Sequence, residues 1–111
     1  MKINKELVGA STALLILGVI SKSPSYGYQI VKRINSEADD LFVWQEGTVY
    51  PVLHKLEKDG LIRSQWQTAD TGRKRKYYFI TSRGQEALTD YAVQWTEFNN
   101  LVVRITEVKY A

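Results

Sequence analysis

The chain of 111 residues has no cysteine and one histidine, is 44% hydrophobic and 24% charged, and carries a formal net charge of +3. That is one domain's worth of chain, with enough apolar side chain to bury a core without a disulfide or metal staple. A disulfide scaffold, a thiolate metal site and a cysteine nucleophile are all excluded.

The charge is unevenly spread. Residues 1–44 are net +1, residues 45–84 net +4 and residues 85–111 net −2. Four of the eight basic residues in the middle third form one run, Arg73-Lys74-Arg75-Lys76. Clustered positive charge is the footprint of a surface that meets phosphate, although an isolated run is more often a solvated loop. Its surroundings have to decide.

Leu7 to Ile20 predicts a first helix that is apolar almost all round. Such a helix needs cover on more than one side. In a short chain, one side is its own core and the other a second subunit. The apolar stretch Ala13–Ile20 is only eight residues long, far short of the ~20 that span a bilayer. Lys2 and Lys5 imitate the start of a secretory signal, but Ser21-Lys22-Ser23-Pro24 is no small-residue cleavage site. The chain reads as cytoplasmic, with no membrane partner.

Ser23-Pro24-Ser25 breaks the chain and offers caps for a second helix, Tyr26 to about Glu37. Tyr26, Ile30 and Ile34 form its inner face. A third helix runs from Glu46 to Asp59, with Val49, Leu53 and Leu56 buried and Gly60 as its stop. Thr48, Tyr50, Pro51, His54, Lys55 and Lys58 fall largely on the other face. Ile62–Trp66 and Lys76–Ile80 then predict two strands, turned by Thr68–Gly72. A last helix begins at Thr81 or Ser82 and continues to about Lys109.

Helix, helix, helix, hairpin, helix is the order of a winged helix-turn-helix. The fold class is therefore mainly α with a small β-hairpin wing. Residues 1–81 form the DNA-binding part, and residues 82–111 a C-terminal dimerisation helix within one structural unit. In this arrangement the third helix enters the major groove and the hairpin lies over neighbouring phosphates. The basic run sits on that hairpin, which favours nucleic acid over the solvated loop.

The segment Glu46-Gly47-Thr48-Val49-Tyr50-Pro51-Val52-Leu53-His54-Lys55-Leu56-Glu57-Lys58-Asp59-Gly60-Leu61-Ile62 closely resembles the PadR family of bacterial transcriptional regulators. Gly72 to Tyr78, with Thr81 and Gly84, resembles that family's basic wing and its exit into the last helix. Tyr26-Gly27-Tyr28-Gln29-Ile30 is a weaker third block. The resemblance covers residues 7–88 in order, and Val49 stands where the family usually has Leu. The single C-terminal helix resembles the family's short subfamily.

The residues have physical reasons of their own to meet DNA. Pro51 breaks a local helix rule at a cost that is smaller near the helix start, and such breaks mark functional surfaces. Gly47 leaves the helix N-terminus open to phosphate. Thr48, Tyr50 and Lys55 offer hydroxyls and an ammonium to bases or phosphate. Arg73, Lys74, Arg75 and Lys76 should mostly touch phosphate or the minor groove, with strand alternation turning one or two away. Tyr77 and Tyr78 point to opposite faces, one of them core and the other able to reach the DNA backbone with its hydroxyl; Tyr78 is counted among the DNA contacts. Ser25, Tyr26 and Gly27, at a helix start, are candidate phosphate contacts or caps.

Leu88, Tyr91, Trp95, Phe98, Val102 and Ile105 form a heptad stripe with no further element of the chain to pack on. Exposed stripes of this kind mark interfaces, and a two-fold dimer presents two third helices to a palindromic operator. The dimer interface is assigned to Leu14, Leu17, Trp95, Phe98, Val102 and Ile105. Two copies of Trp95 across the axis either fill the dimer core or sandwich a planar aromatic ligand. The sequence resembles the family's multidrug-sensing members, which use a tryptophan on this helix in the second way. Leu7, Leu14, Tyr91 and Phe98 would complete that ligand site.

Enzyme activity finds no support, because no phosphate loop, Ser/His/Asp set or metal-ligand spacing is present. No cofactor or metal is expected. The reading is a homodimeric repressor released by a planar aromatic molecule. Its alternatives are a constitutive dimeric DNA-binding regulator and a dimeric small-molecule-binding protein with secondary DNA binding.

Overall fold

The computed structural model describes residues 3–108. Its elements are α1 (Lys5–Gly9), α2 (Thr12–Lys22), β1 (Ser25–Tyr26), α3 (Gly27–Ala38), α4 (Glu46–Lys58), β2 (Ile62–Thr68), β3 (Lys74–Ile80) and α5 (Ser82–Thr106). The fold is mainly helical, with a three-stranded antiparallel sheet in the order β1-β3-β2 and a long C-terminal helix.

The expected first helix is broken in two. Asn4 caps α1, its Oδ1 accepting from the Glu6 N–H at 2.8 Å. The helix stops after Gly9, a residue that costs about 1 kcal/mol within a helix. Thr12 Oγ1 then donates back to the carbonyls of Val8 and Gly9, helping to close the break. From there α2 runs through the centre of the molecule, touching α3, α4, β3 and α5. This explains its apolar circumference: Ile16, Leu17 and Ile20 are all buried by their own chain. Leu17, expected at the subunit interface, is a core residue instead, because the chain's other elements return around α2.

β1 is an element that the sequence pattern does not announce. Its two residues follow Pro24 and pair with β3, Ser25 opposite Tyr78 and Tyr26 opposite Tyr77. α3 then buries Ile30, Val31, Ile34 and Ala38. The turn that follows is clasped by Asn35. Its Nδ2 donates to the Trp44 carbonyl at 2.9 Å, and its Oδ1 accepts from the Trp44 N–H at 2.7 Å. Trp44 is itself buried, its ring 5.1 Å from that of Phe42. That clasp fixes the start of α4 against α3.

α4 buries Val49, Leu53 and Leu56, as the spacing predicts. It ends at Gly60, whose φ of +79° is unfavourable for any residue with a Cβ. Bonds from Gly60 N–H to the Glu57 carbonyl and from Leu61 N–H to the Leu56 carbonyl close the helix end. The chain is thereby aimed straight into β2.

β2 and β3 are longer than the sequence suggests and pair in register from Ile62–Ile80 to Thr68–Lys74. Alternation gives the hairpin two faces. Ile62, Ser64, Trp66 and Thr68 share one with Lys74, Lys76, Tyr78 and Ile80; Ile62 and Tyr78 anchor it in the core. Arg63, Gln65 and Gln67 share the other with Arg75, Tyr77 and Phe79.

Thr81 caps α5, its Oγ1 accepting from the Gly84 N–H at 3.0 Å and facing the carbonyls of Gly60 and Leu61. The 25-residue helix is about 37 Å long. Its first turns do find a partner within the chain, contrary to expectation: Ala87 and Leu88 pack on the core, and α5 touches α2. Beyond them the helix projects, and Tyr91, Trp95, Phe98, Leu101, Val102 and Ile105 are exposed. The helix ends at Thr106, and Lys109, its expected end, lies outside the described residues.

Candidate nucleic-acid interface

An open groove of about 720 Å³ lies between α4 and the hairpin. Tyr26, Gly27 and Tyr28 from the start of α3 line it, with Glu46, Tyr50 and His54 from α4, Trp66 from β2, and Arg73 to Lys76 and Tyr78 from the returning arm. Four basic side chains and five aromatic rings thus meet on one side of the molecule.

The α4 wall is set by packing from below. With Val49, Leu53 and Leu56 buried, Gly47, Thr48, Pro51, His54 and Lys55 are turned outward and exposed. Of these only His54 lines the groove, beside Glu46 and Tyr50, while Gly47, Thr48, Pro51 and Lys55 lie outside its lining. Gln45 makes no side-chain bond to the helix start, so α4 presents open N–H groups and the positive end of its dipole. Pro51 is the sixth residue of α4, so its missing N–H deprives the Gly47 carbonyl of its helical donor. Lys55 is exposed and pairs with Asp59 at 3.1 Å, a solvated contact that an incoming phosphate can replace.

Tyr50 is held differently. Its ring lies directly over Gly27, so closely that a Cβ there would stand 2.5 Å from the hydroxyl oxygen. Gly27 is therefore a seat for Tyr50, buried beneath it rather than offered to a phosphate, and its expected role is corrected. Partial burial, and secondarily the Glu46 carboxylate, push the Tyr50 hydroxyl above its ordinary pKa. It remains a neutral donor at physiological pH.

The hairpin wall is braced by one carboxylate. Glu57 of α4 accepts from Ser64 Oγ of β2 and pairs with Lys76 of β3 at 3.7 Å. Recognition-helix candidate and both hairpin strands are joined through this residue, which sequence reasoning left unassigned. Lys76 is therefore partly engaged inside the chain, and its ammonium also lies over the Tyr78 ring. Arg73 and Lys74 are exposed. Arg75 belongs to the opposite strand face, yet its guanidinium lies 4.4 Å over the Tyr26 ring and still borders the groove. Tyr26 packs edge-on against Tyr77, with ring centroids 5.4 Å apart.

Two further assignments are corrected. Tyr78 is only 2% exposed, the core member of the tyrosine pair, so it is not a surface contact for a DNA backbone. Burial chiefly, with the Glu57 carboxylate next, raises its hydroxyl above the ordinary range. Ser25 is fully buried; its Oγ donates to the Ser23 carbonyl at 2.8 Å and faces Arg33 Nη1 at 3.4 Å. Strand β1 explains both, since Ser25 and Tyr78 face each other across a ladder that the sequence did not reveal. Trp66 and Tyr28 line the groove and were not singled out; alternation along β2 was the signal that places Trp66.

The remaining candidates lie on another surface. Leu7, Tyr91, Trp95, Phe98, Val102 and Ile105 are exposed and Leu14 is half-buried, none of them lining the groove. Among the described residues, no group of three or more His, Cys, Asp or Glu side chains is placed to hold a metal ion. No helix among them is long and apolar enough to cross a membrane.

Comparison with known proteins agrees with this geometry. The model of the PadR-like family of transcriptional regulators matches residues 16–90, from α2 into α5. A transcriptional regulator of Mycobacterium tuberculosis is 50% identical over 86 residues, covering 78% of this chain and 77% of the relative. The negative transcriptional regulator PadR of Bacillus subtilis is 28% identical over 79 residues, covering 71% of this chain and 43% of the relative. The structure of a transcriptional regulator from Clostridium thermocellum superposes with a TM-score of 0.84 at 29% identity, covering 92% of this chain and 96% of that one. With most of its helix-turn-helix, wing and last-helix start inside the matched span, the chain belongs to the PadR-like family of transcriptional regulators.

Proposed function

We propose that the protein is a homodimeric repressor that binds a palindromic operator and is released by a planar aromatic ligand. Residues 1–81 would read DNA and residues 82–111 would hold the dimer. The observation that carries the DNA part is the groove, in which the open N-terminal turn of α4 and the basic arm of β3 face the same side. Thr48, Tyr50, Pro51 and Lys55 then meet the major groove, while Arg73, Lys74 and Arg75 meet phosphates. Repression is supported by the negative regulator among its relatives.

The dimer part rests on the projecting stripe of α5. Trp95, Phe98, Val102 and Ile105 are large, apolar and exposed on one helix, which a second copy would cover. A ligand between two copies of Trp95, walled by Leu7, Leu14, Tyr91 and Phe98, gains aromatic stacking of ~0.5–1.5 kcal/mol beyond area burial. Tyr91 on the same stripe favours a second reading, a constitutive dimer whose cavity its ring closes.

The test is a duplex recovered from a random pool by selection with the intact protein, titrated by anisotropy with and without planar cationic dyes. A palindromic site, released by dye with tryptophan quenching, supports the proposal. A palindrome that no dye releases supports the constitutive dimer, and recovery of no sequence preference contradicts both.

A further inference from the structure

We propose that Trp66 is a backbone contact: its indole packs on deoxyribose carbons of the DNA strand whose phosphates meet Arg73 and Lys74. This rests on reading the groove as the DNA interface. Trp66 is 65% exposed, whereas Trp44, clasped in the turn before α4, is 6% exposed. The difference follows from β2. Along its inner face Ile62 is buried, Ser64 is held by Glu57, and Trp66 is the next residue. The face that is core at the hairpin root becomes the groove wall at Trp66, and the described residues leave most of the indole uncovered there.

The neighbours say what covers it. Trp66 stands directly opposite Lys76 in the ladder and two pairs inside Thr68–Lys74, on the same face as both lysines. The Lys76 ammonium turns to Glu57 and the Tyr78 ring, while Arg73 and Lys74 stay exposed beyond it. A wholly apolar partner would strip water from the exposed Arg73 and Lys74 without replacing it. A polynucleotide backbone satisfies both chemistries, because anionic phosphates alternate with the C–H surfaces of sugars. A lysine holding a phosphate sets the adjoining sugar against the indole. Such a contact is blind to sequence and adds no counterion release.

The experiment measures duplex affinity at several salt concentrations for wild type, Trp66→Ala, Trp66→Phe and the double reversal Arg73→Glu/Lys74→Glu. Trp66→Ala should weaken binding about tenfold, equally on the selected operator and an unrelated duplex, with the salt slope unchanged. Trp66→Phe should recover most of that affinity. Operator should also shield from acrylamide a tryptophan component that Trp66→Phe lacks. Wild-type affinity in Trp66→Ala, or a weakening confined to the operator sequence, overturns the assignment while a flattened slope in the double reversal leaves the groove reading standing. An unchanged slope in the double reversal removes the groove reading, and the Trp66 contact falls with it.

Discussion

The groove beside α4 and the far half of α5 are opposite kinds of surface. The groove is charged, aromatic and finished within one chain: Asn35 clasps the turn, Gly27 seats Tyr50, and Glu57 ties α4 to both hairpin strands. The far half of α5 is built differently. Its large apolar side chains are exposed, and no described residue covers them. For the polyanion proposed to occupy the groove, these internal contacts leave little ordering to be done on binding. A surface that remains apolar and bare is completed by association. The two should therefore fail in different ways when altered.

The largest effect should come from the bare surface. Phe98→Glu places a charge in the proposed interface, where an unpaired buried ion costs several kcal/mol. It should abolish dimerisation in sedimentation and, with it, tight operator binding, while the helical circular dichroism of the protomer survives. A dimer of wild-type strength would detach the α5 stripe from assembly.

Next comes charge in the groove. Arg73→Glu/Lys74→Glu should leave the dimer intact and weaken binding to every duplex, flattening the log–log salt dependence by ~0.9 for each phosphate that is no longer neutralised. Gly27→Ala should be milder. The added methyl meets the Tyr50 ring and shifts it, so operator affinity should fall about tenfold, with dimerisation unaffected. If Gly27→Ala binds operator normally, the seating of Tyr50 has no bearing on recognition.

Trp95→Ala should have the smallest effect on DNA, within a few-fold, because Trp95 lies on the projecting part of α5 and outside the groove. It should remove the response to planar dyes. A variant that still responds as wild type returns Trp95 to a packing role.

What could be read from the sequence follows the physics of each element. α4 was legible almost to the residue, since its apolar spacing, Pro51 and terminal Gly60 all act locally. The hairpin and the basic run were legible for the same reason. β1 was not, because two residues carry no periodicity and are strand only by pairing with β3. Missing it placed Ser25 and Tyr78 at the surface. Leu17 was misplaced because α2 is apolar on every side, and only the packing of α5 over it tells which side is core. Glu57 was overlooked because its partners, Ser64 and Lys76, are brought to it by the hairpin fold.

The central claim is that DNA is met by α4 and the hairpin, and not by the far half of α5. Amide hydrogen exchange of the intact protein with and without the selected operator tests it most directly. Added protection across residues 46–55 and 66–76, with residues 91–106 unchanged, is the predicted result. Protection confined to residues 91–106, with the hairpin exchanging as in the free protein, would contradict the account.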